Sequence, residues 1–127
     1  MRVFKKKRGG TELTRAQALN SIPVKSEHVI ESRLDNGDAF LTFPVRTKPW
    51  MAGIARFLGG SSDGVVTKKL QLDSLGTAVW ERIDGRRSVR RMVREFADEH
   101  QLHSKEAELA VTRFLRDLGK RGLVGLK

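Results

Sequence analysis

Leu72, Leu75, Val79, Trp80 and Ile83 recur at the three-and-four spacing of one helix face. Asp73 precedes them where a carboxylate accepts from the free N–H groups of a first turn, and Gly85 follows where a left-handed residue closes a helix. The spacing therefore predicts a helix over 72–85 that is held by what Trp80 buries against, because about three turns are marginal alone. Ser88 is placed to cap a second helix over 88–100, with Val89, Met92, Val93, Phe96 and Ala97 on one face. Ser104 is placed to cap a third. Its stripe is Ala107, Ala110, Val111, Phe114, Leu115 and Leu118, ending near Gly119 to Gly122, with Leu109 outside it.

Upstream the period changes to two. Val29, Ile30 and Leu34, then Leu41, Phe43 and Val45, flank Asp35-Asn36-Gly37-Asp38, and Asn-Gly between such runs predicts a hairpin closed by a type I′ turn. Val65 to Leu72 reads as a third strand with Val66, Leu70 and Leu72 on one face and Lys68 interrupting it. A lysine there guards an exposed sheet edge, or else leaves that edge open to a partner's strand. Before the hairpin, Thr14 and Gln17 have capping-box spacing for a short helix that Ile22-Pro23 stops. Between the second and third strands, residues 46–64 read as a connector or inserted helix opened by Pro49, with Trp50, Ile54 and Phe57 or Leu58 on one face.

Over 127 residues, 39% hydrophobic content supports one modest core. The formal charge of +10 is uneven, with +6 in residues 1–25 and +4 in the rest. That balance favours an acidic partner, whether nucleic acid, an anionic surface or a peptide. Residues 1–25 thus read as a basic N-terminal extension with a short helix, and 26–127 as the folded domain. With no cysteine there is no disulfide or thiolate chemistry, which suits the cytoplasm. The basic N-terminus lacks the apolar core of a signal peptide, and the apolar run from Trp50 to Ala55 is too short to span a bilayer.

No catalytic constellation is visible. His100 and His103 lack an acid in metal-ligand spacing, and no serine sits in a nucleophile elbow. The expectation is a binder without cofactor, metal or catalytic residues. Three strands followed by three helices predict an α+β, winged-helix-like domain, a three-stranded antiparallel sheet followed by a three-helix bundle, so a DNA-binding regulator is the rival reading. In it Lys105, Arg113, Arg116 and Lys120 would face phosphates. Glu106, Glu108 and Asp117 on the same helix weaken it, as does the short stretch left for a wing after residue 121.

The stretch LDSLGTAVWERIDGRRSV, followed by FLRDLGKRGLV, resembles the PqqD family. Leu72, Asp73, Leu75, Gly76, Trp80, Asp84, Gly85, Ser88 and Val89 match its pattern, and Phe114, Leu115, Leu118, Gly122 and Leu123 match its closing helix. The resemblance implies a peptide-recognition element without enzymatic activity that captures the leader of a ribosomally made precursor peptide and presents it to a modifying enzyme, often a radical-SAM protein. It further implies that the leader adds as a strand to the third strand, at Val66, Lys68, Lys69, Leu70, Gln71 and Leu72, and lies against the third helix. Ala110, Arg113, Phe114 and Asp117 are the helix residues expected from their position. Lys68 and Lys69 point to an acidic, partly apolar leader.

Overall fold

The structure is a computed structural model that describes residues 2–3, 13–46 and 65–127. The helix expected within 46–64 lies outside the described residues. The chain forms two compact units, one of Met1–Glu27 with Asp73–Lys127 and one of His28–Leu72.

The first unit contains β1 (Arg2–Val3), α1 (Arg15–Asn20), β2 (Pro23–Lys25), α2 (Ser74–Glu81), α3 (Val89–His100), α4 (Ser104–Lys120) and β6 (Val124–Leu126). The Thr14–Gln17 capping box forms in full, and α1 stops before Pro23. Asp73 caps α2 through a 2.7 Å bond from the Gly76 N–H. That helix is shorter than the spacing predicts. It ends at Glu81, and Gly85 takes φ +76° in the loop beyond, where the Asp84 carboxylate accepts from the N–H groups of Arg86 and Arg87, each at 2.9 Å. Those donors hold the Asp84 carboxyl below the ordinary carboxylate range, that of Arg87 first. Leu75, expected on the buried face, is 49% exposed, while Leu72, Val79, Trp80 and Ile83 are buried.

Ser88 caps α3 as expected, accepting from the Arg91 N–H at 3.1 Å. Val89, Met92, Val93 and Phe96 are buried, and Gln101 ends the helix with φ +52°. The cap of α4 is His103 rather than Ser104: its Nδ1 accepts from the Lys105 N–H at 3.2 Å. Ala107, Val111, Leu115 and Leu118 form the buried stripe of α4, and Ala110 falls on its exposed flank.

α4 closes in a Schellman motif. The Gly122 N–H donates to the Gly119 carbonyl and the Leu123 N–H to the Leu118 carbonyl, each at 3.0 Å, with Gly122 at φ +76°. This reversal turns the last residues into β6, an element absent from the pattern-based reading. β6 is the centre of a second antiparallel sheet, with order β1-β6-β2, pairing Arg2 and Pro23 with Leu126 and Lys25 with Val124. Trp80 is fully buried, and the Lys25 ammonium stands 4.5 Å from the centre of its ring.

The second unit is an antiparallel meander of β3 (Ile30–Arg33), β4 (Ala39–Arg46) and β5 (Val65–Gln71). The expected hairpin forms, but its turn is not type I′, which needs positive φ at both central residues. Gly37 has φ +90° and Asn36 does not have positive φ. Leu34 and Asp38 instead close a three-residue loop, and Asn36 contributes its side chain, which accepts from the Asp38 N–H at 2.9 Å and donates to the Asp38 carboxylate at 3.1 Å. The order of elements makes the chain α+β and winged-helix-like, with the meander ahead of the three long helices.

Candidate functional site

The meander leaves β5 as an edge strand, and its hydrogen-bond phase decides what that edge offers. Leu72 donates its N–H to the Ala39 carbonyl at 2.9 Å. Bonded and non-bonded pairs alternate along an antiparallel ladder. Leu70, Lys68 and Val66 therefore spend their backbone groups on Leu41, Phe43 and Val45, their register partners in β4. Thr67, Lys69 and Gln71 turn theirs to the open side, where no strand pairs among the described residues. Pro44 fits the same phase. It faces Thr67 in a non-bonded pair and lies past Ile30–Thr42, the end of the β3 ladder, so the central strand loses no bond to a residue without an N–H.

Side chains alternate across this strand. Val66, Lys68, Leu70 and Leu72 share the face on which Ala39, Leu41 and Phe43 of β4 are buried. Along that row exposure falls steadily, from Val66 and Lys68, both exposed, through half-buried Leu70 to buried Leu72. Thr67, Lys69 and Gln71 line the other face, all exposed, with the Gln71 amide donating to the Asp38 carboxylate at 3.3 Å. Lys68 and Lys69 thus put one ammonium on each face of a single edge. Thr67 lies inside the strand expected to pair, Val66 to Leu72, and its backbone groups face the open side although its side chain leaves no compositional mark.

The expected helix residues belong to the first unit. Ala110, Arg113 and Asp117 are exposed and Phe114 is half-buried, and their spacing places them on one face of α4. Leu109, 59% exposed, extends the apolar part of that surface. The charges of α4 are mixed: Arg113, Arg116 and Lys120 are exposed together with Glu106 and Asp117. Glu108 is engaged by Arg15 of α1 in a two-pronged ion pair at 2.7 and 3.2 Å, which raises the Arg15 pKa above its ordinary value. Beyond the turn that follows α4, Val124–Leu126 form β6, whose three residues are all buried.

Three arginines around the start of α3 are tied to acids, whereas Arg90 is exposed and reaches the Asn20 amide oxygen instead, at 3.5 Å. Arg82 pairs with Glu99, Arg87 with Glu95 at 3.3 Å, and Arg91 with Glu95 at 3.0 Å. His100 packs on Phe96 with ring centres 4.5 Å apart, and His103 is occupied as a cap. Among the described residues no three His, Cys, Asp or Glu side chains gather as a metal-binding group, and no helix is long and apolar enough to cross a membrane.

Two comparisons bear on this chain. Residues 64–124 match the family model of PqqD, described as coenzyme PQQ synthesis protein D, so the resemblance to the PqqD family holds over that stretch. A solved structure, TbiB1 in complex with the TbiA(beta) leader peptide, has the same fold with a TM-score of 0.56 and 17% identity, covering 80% of this chain and 93% of that one. No curated protein sequence matches the chain.

Proposed function

We propose that this protein is a non-catalytic peptide-binding protein: it captures the leader of a ribosomally synthesised precursor peptide by strand addition to β5 and presents it to a modifying enzyme in the cytoplasm. The observation that carries this reading is the edge of β5 that no strand pairs among the described residues, with outward backbone groups at Thr67, Lys69 and Gln71 and exposed side chains at Lys68 and Lys69. Strand addition to such an edge supplies affinity through the main chain and selectivity through alternate side chains. Pairing with three residues adds about six hydrogen bonds, each worth roughly 1 kcal/mol net. The PqqD match and the leader-bound state of TbiB1 support the same role. The exposed face of α4 at Ala110, Arg113, Phe114 and Asp117 is proposed as a second surface for the leader. The mixed charges of α4 weigh against the DNA-binding alternative.

The test is a titration of the labelled protein with synthetic acidic, partly apolar leader peptides, followed by backbone amide shifts. The expected result is saturable shifts at Thr67, Lys69 and Gln71 with micromolar or tighter affinity. Shifts confined to residues outside β5 and α4 would sink the docking scheme. Affinity for duplex DNA that falls steeply with salt, with no response to peptide, would replace it with the rival.

A further inference from the structure

The phase of the β5 ladder also specifies the order of residues in the bound strand, an inference that rests on strand addition as proposed above. A strand pairing antiparallel with β5 makes bonded pairs with Thr67, Lys69 and Gln71, the residues whose backbone groups face outward. It must then meet Val66, Lys68 and Leu70 in non-bonded pairs, in which side chains approach more closely. Antiparallel addition continues the meander, whose two ladders are both antiparallel.

The two faces of the edge make different demands. On the face shared with buried Leu41 and Phe43, the sequence Leu70, Lys68, Val66 asks for an apolar residue, an acid and an apolar residue at alternate positions of the partner. On the other face Lys69, between Gln71 and Thr67, asks for one acid flanked by polar residues. Neither lysine has an ion pair among the described residues, and both are exposed, so each is available to a carboxylate about 5 Å across the strands.

We infer that the recognised segment, read from its N-terminus, has the order apolar, acidic, acidic, polar, apolar, with its adjacent acids opposite Lys69 and then Lys68. The acids are neighbours in sequence yet lie on opposite faces, so no single-faced acidic cluster satisfies both lysines. The acid opposite Lys68 sits in the closer, non-bonded pair and contributes more.

Three synthetic peptides of equal length test the order against the full-length labelled protein. The first carries Thr-Leu-Asp-Glu-Thr-Val-Thr. The second has the same composition reordered as Thr-Asp-Leu-Glu-Thr-Val-Thr, with both acids on one face, and the third replaces the acids of the first by Asn and Gln. The expected result is that all three shift the Thr67, Lys69 and Gln71 amides, the first at about tenfold lower concentration than the third, with the second between them. Lys68→Ser is expected to weaken the first peptide more than Lys69→Ser, each by about threefold or more, without altering the third. Equal affinities for all three peptides, with the edge shifts present, would overturn the inferred order and leave strand addition standing. Absence of edge shifts with every peptide would overturn strand addition itself, and the order with it.

Discussion

The bond from the Leu72 N–H to the Ala39 carbonyl, 2.9 Å long, sets the phase of the whole β4–β5 ladder. One residue later begins the cap of α2 at Asp73, so the end of the ladder and the start of the helix are separated by a single peptide. The same bond decides which residues of β5 face outward, and that division can be tested one residue at a time.

Lys69→Pro removes an outward N–H and no ladder bond. The expected outcome is loss of peptide binding at the edge with little change in a thermal melt. Lys68→Pro removes an inward N–H that bonds the Phe43 carbonyl and is expected to destabilise the meander by about 1–3 kcal/mol. Equal effects of the two prolines on stability would show that the phase is wrong.

The α4 face is separable from folding. Arg113→Glu changes an exposed side chain, so chemical denaturation should move by no more than about 0.5 kcal/mol. Affinity for an acidic leader is expected to fall severalfold. An unchanged affinity would remove Arg113 from the second surface.

Trp80 belongs to the scaffold. Trp80→Ala should destabilise by about 3–5 kcal/mol through the cavity it leaves. Trp80→Phe is expected to be milder, because the phenyl ring refills most of the cavity; both variants remove an indole N–H that is buried with no hydrogen-bond partner among the described residues. Urea unfolding of both variants gives the comparison.

Gly122 holds the reversal between α4 and β6. Nothing lies within 4 Å of where a Cβ would sit, so the penalty of Gly122→Ala is conformational, roughly 1–2 kcal/mol for forcing a side chain into the left-handed region. Hydrogen exchange at Val124 to Leu126 should rise with it, since the turn delivers that strand to its sheet.

Asp84 carries an acid-side dependence of stability. Its folded pKa is depressed by backbone N–H donors, so its contribution is complete above the ordinary carboxylate pKa. It is lost as the pH falls through the depressed value. Melts of the wild type and Asp84→Asn should therefore converge at the acid end, and a difference that grows on acidification would contradict this sign.

Most of the elements were legible because their causes are local. Thr14, Asp73 and Ser88 cap helices through N–H groups three residues away, and the stripe of α3 follows from spacing alone. The hairpin was readable for the same reason, although the Asn36 side chain does work that a type I′ backbone would have left undone. His103 took the cap position from Ser104, its immediate neighbour, a choice between two adjacent acceptors that spacing cannot make.

What the sequence by itself determined is the order of the three meander strands and the four helices, the two lysines of β5 at Lys68 and Lys69, and the family pattern over the C-terminal half. Tertiary structure decided the rest. Leu75 and Ala110 fit their apolar stripes by period, yet they are exposed, because burial depends on what packs against a helix rather than on the helix alone. β6 needs partners from Arg2–Val3 and Pro23–Lys25, about a hundred residues distant, so no local pattern announces it. The outward phase at Thr67, Lys69 and Gln71 was equally out of reach: alternation gives two sets of residues, and only a hydrogen bond to Ala39, made across the sheet, chooses between them.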